Sequence, residues 1–235
     1  MVKTRKKKVI KLNKTKKCLK KTKNFIFGYG SLINTHSREY TGKSYIGKPI
    51  PVILLKKAGY KRIWTCKDTK YGCNSVLGIV KGKKSSNDIV GIIAPIYKCM
   101  KNFDKREKGY KKIKIKYDPK KKNVIKALSN KRLPNYPCNI YIYVSKKNIQ
   151  PKYNCPISQN YLDVVLLGCL EYGKAFAKHF IKNTMNWKNN NEVFWKNDRK
   201  NNKRYWIKNL NKKNRKMIDK ILSETIPKYF KLRKN

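Results

Sequence analysis

The chain has 235 residues, a length that suits one domain with a real core plus an extension rather than two full domains. Its 61 Lys and Arg stand against 12 Asp and Glu, a formal net charge of +49. No apolar run approaches the roughly 18–20 residues that a membrane helix needs, and the basic start is followed by no apolar segment of secretory-signal type. No membrane partner is therefore expected.

So large a positive charge suggests a polyanion partner, because Lys and Arg displace condensed counterions from phosphates. Its distribution weakens that inference. Lys dominates over Arg along the whole length, Asn, Ile and Tyr are abundant and Ala is scarce, as codons rich in A and T would produce. The bland reading is a solvated lysine face. Nucleic-acid binding through the basic start of the chain, on a catalytically inactive scaffold, is the competing one.

Residues 1–23 contain no acid and few groups to bury, and are expected to form a disordered basic tail. Within it, Arg5-Lys6-Lys7-Lys8 has the form of a nuclear import signal. The pattern then changes. Residues 24–27 (Asn-Phe-Ile-Phe) read as a first strand, ending in Gly28-Tyr29-Gly30-Ser31-Leu32. Glycines at that point let a tight loop bring its backbone close to a ligand. Further β-type runs fall at 51–55, 60–64, 75–80, 88–96, 110–117 and 139–144. They are too numerous and too close together for βαβ crossovers, so the predicted class is α+β: a mostly antiparallel small β-barrel with a few packed helices.

Three helices are predicted. A short one lies at 102–107. A long one spans 158–181, where Leu162, Val165, Leu166, Cys169, Leu170, Phe176, Ala177 and Phe180 form a stripe that Ser158 or Asn160 can cap. A third covers 214–225. Between the last two, Trp187, Trp195, Tyr205 and Trp206 are interleaved with Asn and Lys. That arrangement suits either base stacking or an extension pinned to the core by its tryptophans. The expected organisation is a tail at 1–23, a domain at 24–181, and a partly helical Lys/Asn/Trp-rich extension at 182–235.

Candidates for chemistry are few. His36 and His179 are too few for most zinc sites or Ser/His triads, and each reads as structural. The seven cysteines (Cys18, Cys66, Cys73, Cys99, Cys138, Cys155, Cys169) include no C-x-x-C pair, so no metal site is expected, and scattered thiols point to a reducing, cytosol-like compartment. Among the acids, Asp163 suits the first turn of the long helix, and Asp198 and Asp219 lie in polar contexts. Asp104 and Glu107 differ: three residues apart, they share a face of a helical turn, bracketed by Phe103 and Tyr110. That surround suits a buried Glu107 with a raised pKa. A salt-bridged surface turn beside Lys105 and Arg106 is the plain alternative.

Taken together, Tyr29-Gly30-Ser31-Leu32 and the later Phe103-Asp104-x-x-Glu107-x-x-Tyr110 resemble the two motifs of the gamma-glutamylcyclotransferase family, Tyr-Gly-Ser-Leu and Leu-Asp-x-x-Glu-x-x-Tyr, with Phe103 in place of leucine. The strand Cys138-Asn139-Ile140-Tyr141-Ile142-Tyr143 is similar to the family's late strand with a pocket tyrosine. Tyr141 fits that place best, and Tyr143 shares its face; both also suit ordinary sheet tyrosines. The resemblance covers roughly residues 24–181. It implies a small-molecule gamma-glutamyl substrate, cyclisation to 5-oxoproline with release of an amine, and no cofactor. It assigns Glu107 to catalysis, and Tyr29, Gly30, Ser31, Leu32 and Tyr141 to substrate binding.

Overall fold

The computed structural model describes residues 22–69, 72–82, 87–128, 131–200 and 210–234. The readings of the basic tail up to residue 21, and of Tyr205 and Trp206, fall outside these.

The β-branched and aromatic runs assemble two sheets. In the first, β1 (Asn24–Gly28), β2 (Ile50–Leu54), β5 (Ile89–Pro95), β6 (Tyr110–Tyr117), β7 (Ile125–Ala127) and β8 (Cys138–Ser145) lie in the order β6-β8-β1-β5-β2-β7. Every neighbouring pair is antiparallel except β1 and β8, which run parallel. Strand β5 is buried at every position, which is why its sequence is a continuous apolar run rather than an alternating one. The second sheet is built on a long antiparallel hairpin of β3 (Tyr60–Thr69) and β4 (Gly72–Lys81), joined by short β9 (Ile157–Ser158), β10 (Thr184–Met185) and β11 (Trp195–Lys196) in the order β10-β3-β4-β9-β11. The hairpin outruns the apolar segments that announce it. Its ladder continues through Cys66↔Ser75 to Thr69↔Gly72, where the side chains no longer carry a strand pattern but the backbone still pairs.

Helix α1 (Thr35–Gly42) was not expected, since its sequence THSREYTG has no apolar stripe. A buried cation holds it instead: the Arg38 guanidinium donates to the carbonyls of Leu32 and Ile33 at 3.0 and 2.8 Å. Helix α2 (Met100–Arg106) is the short helix between β5 and β6. The predicted long helix is two, α3 (Gln159–Leu170) and α4 (Lys174–Lys182). The break falls at Gly173, whose φ of 100° is a backbone state that L side chains rarely take. Ser158 caps α3 by accepting from the Tyr161 N–H.

The C-terminal residues share the core with the rest. Trp187 packs edge-on to Trp64 and tilted against Trp195, with centroids 5.3 and 5.4 Å apart. All three indoles are buried, so Trp187 and Trp195 act as core pins rather than as a stacking surface. Helix α5 (Lys212–Thr225) buries Ile218, Ile221 and Leu222 and packs on α3 and α4; α6 (Pro227–Phe230) follows it. Each such apolar side chain contributes roughly 1.5–3 kcal/mol on burial, enough for three of them to hold a helix in place.

Candidate active site

The site forms where β1 ends. Phe27 is fully buried and fixes the strand, after which residues 28–30 turn the chain into a short 3₁₀ turn, Ser31–Ile33. The N–H groups of Ile33 and Asn34 bond back to the carbonyls of Gly30 and Ser31, while the first N–H groups of such a turn have no partner inside it. A Cβ on Gly30 would stand 3.1 Å from the Tyr161 hydroxyl, so this backbone passes the cavity wall more closely than a side chain comfortably allows. Asn34 ends the turn and caps α1 by accepting from the Ser37 N–H at 2.9 Å.

Glu107 arrives from the other side. Helix α2 is anchored by the fully buried Phe103, and Glu107 is the residue that ends it, its N–H donating to the Phe103 carbonyl at 2.8 Å. Its neighbour Arg106 fastens helix and loop together, donating to Ser31 Oγ and Ser37 Oγ at 3.0 Å each, to the Ser37 carbonyl at 2.7 Å and to Thr41 Oγ1 at 2.5 Å. Arg106 Nε lies 3.4 Å from Glu107 Oε1. The Glu107 side chain is only 16% exposed. Burial pushes its pKa above the ordinary carboxylate value, while Arg106 and Lys67 pull it partly back. Lys67, on β3, sits with Nζ 4.2 Å from the Tyr110 ring centroid. Burial lowers its pKa, and Glu107 opposes that.

Together these groups enclose a cavity of about 230 Å³. Tyr29, Gly30, Ser31 and Leu32 line it from the loop and Glu107 from the end of α2. Lys67, Leu77, Tyr143 and Tyr161 close the remaining walls. Tyr29 donates its hydroxyl to the Tyr143 carbonyl at 2.6 Å, and burial raises its pKa well above that of a free phenol, so it remains a protonated donor.

Tyr141 is not among the lining residues; Tyr143 is. The parallel register explains the offset. Ile26 lies opposite Tyr141, so the end of β1 and its loop are level with the residue two steps further along β8, and two steps along a strand is about 6.6 Å. Asp104 also stays outside the cavity. It accepts from the Tyr143 hydroxyl at 2.6 Å and pairs with Lys112 at 2.8 Å. Burial disfavours its charge, but the hydrogen bonds from Lys112 and Tyr143 outweigh that and hold the carboxyl below its ordinary range. The two acids of one motif thus separate, Asp104 bracing the wall that Tyr143 forms and Glu107 facing the space. Sequence reasoning gave no role to Lys67, Arg106 or Tyr161. Arg106 carried a signal only as the neighbour of Glu107, and the other two come from distant strands and helices.

One thiol pairing was likewise not anticipated. Cys73 and Cys155, separated by 82 residues, form a disulfide, and the Cys66 sulfur lies beside it. Cys99, Cys138 and Cys169 are buried free thiols.

No protein-family model matches the chain, and no curated protein matches it. Solved structures similar to it include a human protein designated loc79017, at TM-score 0.49 and 13% identity over 83% of this chain and 96% of that one. Another is a structure named gamma-glutamyl cyclotransferase, at TM-score 0.49 and 14% identity over 83% and 98%. A third, from yeast, is described as a gamma-glutamyl cyclotransferase specific to glutathione, at TM-score 0.35 and 13% identity over 67% and 88%.

Proposed function

We propose that the chain is a gamma-glutamyl cyclotransferase with Glu107 as its proton-transfer group. The observation that carries this reading is the meeting, in one small cavity, of the Tyr29–Leu32 turn with a mostly buried carboxylate of raised pKa. A volume of about 230 Å³ is below the roughly 300–1,000 Å³ of sites for drug-sized ligands, and suits a small substrate bound folded on itself.

The substrate's α-amine attacks its own γ-carbonyl carbon. The new C–N bond closes a five-membered ring, the γ-amide C–N bond breaks, and 5-oxoproline and the free amine leave. Near neutral pH the attacking group is largely ammonium, since an α-amine titrates at about 7.7–8.0, so a base must first remove a proton. Glu107 accepts that proton and returns it to the departing amine. Its raised pKa brings it closer to both partners than an ordinary carboxylate would be. The backbone N–H groups of the cavity-lining Tyr29–Leu32 turn are assigned to the α-carboxylate and to the oxyanion that develops on the γ-carbonyl. Ser31 acts there as part of the turn, held by Arg106, and not as a nucleophile. Holding the substrate in its folded-back conformer supplies much of the rate, because orientation of an intramolecular attack is worth several kcal/mol.

The test is 5-oxoproline release from a panel of glutathione, gamma-glutamyl amino acids and gamma-glutamyl-lysine. At least one is expected to be converted; conversion of none of them, by protein whose fold is verified, contradicts the assignment.

A further inference from the structure

Three sulfur atoms converge beside the β3–β4 hairpin. Those of Cys66, Cys73 and Cys155 lie within 4.8 Å of one another, and the last two are bonded. Cys66 is a free, half-buried thiol beside that bond. Its Sγ is 3.1 Å from the Gln150 carbonyl, 3.6 Å from the Cys155 carbonyl and 3.7 Å from Ser75 Oγ. The Cys155 segment is itself clamped along β4: Ser75 donates from Oγ to the Cys155 carbonyl at 2.7 Å and from its N–H to Pro156 at 2.9 Å.

We infer that this cluster is a thiol–disulfide exchange site in which Cys155 is the fixed partner and the bond moves between Cys73 and Cys66. The Cys66 thiolate attacks Cys155 Sγ, forming a Cys66–Cys155 bond. The Cys73–Cys155 bond breaks, its electron pair departs on Cys73 Sγ, and Cys73 takes up the proton that Cys66 gave up. The step is redox-neutral and needs no outside oxidant. Burial decides which sulfur leaves. Cys155 is fully buried, and a thiolate is costly there, whereas half-buried Cys73 leaves as a partly hydrated thiolate.

The bond joins two walls of the cavity. The hairpin brings Lys67 and Leu77 to it, and the segment that begins at Cys155 leads through the Ser158 cap to Tyr161. With the bond at Cys73, the Cys155 segment is tied near the hairpin tip; with the bond at Cys66, it is tied beside Lys67. The site is thus a covalent adjuster of the cavity wall that needs no second molecule, and it stands whether or not the cyclotransferase reading does.

The test maps disulfides by non-reducing digestion and mass spectrometry of acid-quenched full-length protein. Cys73→Ser is oxidised with glutathione disulfide, and wild type is incubated at mildly alkaline pH with no added thiol. The expected result is a Cys66–Cys155 peptide in Cys73→Ser and in wild type, the latter with Cys73 newly open to alkylation, and complete loss of that peptide in Cys66→Ser, which retains the Cys73–Cys155 bond. Absence of a Cys66–Cys155 peptide from both proteins overturns the inference, and because wild type is one of them, misfolding of a variant does not decide the outcome.

Discussion

Among the described residues, Asp163 and Glu107 are carboxylates taken largely out of water, and their surroundings treat them in opposite ways. On α3, Asp163 is completely buried and saturated: Gln159 donates to one oxygen, and Arg199 donates to both, each at 2.7 Å. Arg199 also bridges to Asp219 at 2.7 Å, which Arg233 meets from the other side at 3.0 Å. At the end of α2, Glu107 has Arg106 Nε at 3.4 Å, while the terminal nitrogens of that guanidinium are engaged by Ser31, Ser37 and Thr41. Burial raises the pKa of both acids. Only Glu107 keeps lone pairs facing open space, and a carboxylate must have them to accept a substrate proton. A cross-linked acid is a structural part; a desolvated but unsaturated one suits the proton-transfer role proposed for Glu107.

Breaking each half of this contrast gives different readouts. The largest effect is expected from Glu107→Gln, which keeps the shape and removes the proposed base: kcat/KM for 5-oxoproline release should fall about 10²–10⁴-fold, with the circular dichroism spectrum and melting temperature little changed. Asp163→Asn should do the reverse. Removing one partner of a buried ion pair costs about 3–5 kcal/mol, visible as a lower urea midpoint, while the protein that remains folded keeps its turnover. Arg106→Met removes the clamp on Ser31 and α1 together with the cation 3.4 Å from Glu107 Oε1, while the carboxylate itself stays. Because misplacing a reacting group by about 1 Å costs on the order of 10²-fold, a loss of that size is expected, and because Arg106 draws the Glu107 pKa down, the acid limb of the pH–rate profile should also move to higher pH. Lys67→Met is the finest probe. Lys67 draws the Glu107 pKa down, so removing its charge lets that pKa rise, and the acid limb of the pH–rate profile should move to higher pH. A limb that stays in place or moves lower means that Lys67 does not act on Glu107.

The longer strands were legible because they carry β-branched or aromatic runs, and β6, predicted at 110–117, begins and ends there; the short strands β7, β9, β10 and β11 were not predicted. The hairpin extension, α1 and the division of the long helix were not. Each depends on something a local pattern does not carry: continued backbone pairing past Cys66, a buried Arg38 in place of an apolar stripe, and one positive φ at Gly173. Within the site, the loop and Glu107 could be read because both lie in short contiguous motifs. The pocket tyrosine was placed at Tyr141, and Tyr143 lines the cavity, because the two share a face and only the β1–β8 register sets how far along that face the loop sits. Asp198 and Asp219 looked like surface acids. They are tied to Ser158 and Asn160, and to Arg199 and Arg233, partners remote in sequence or hidden in a lysine-rich background.

Cyclisation and hydrolysis of a gamma-glutamyl amide release the same amine but differ in where the acyl carbon ends. The decisive measurement is therefore product analysis of a turned-over gamma-glutamyl dipeptide in ¹⁸O-labelled water. The intramolecular mechanism predicts 5-oxoproline and amine in equal amounts, no glutamate, and no label in either product. Glutamate carrying one ¹⁸O in its γ-carboxylate would contradict it, showing that water, and not the substrate's own amine, is the nucleophile that Glu107 serves.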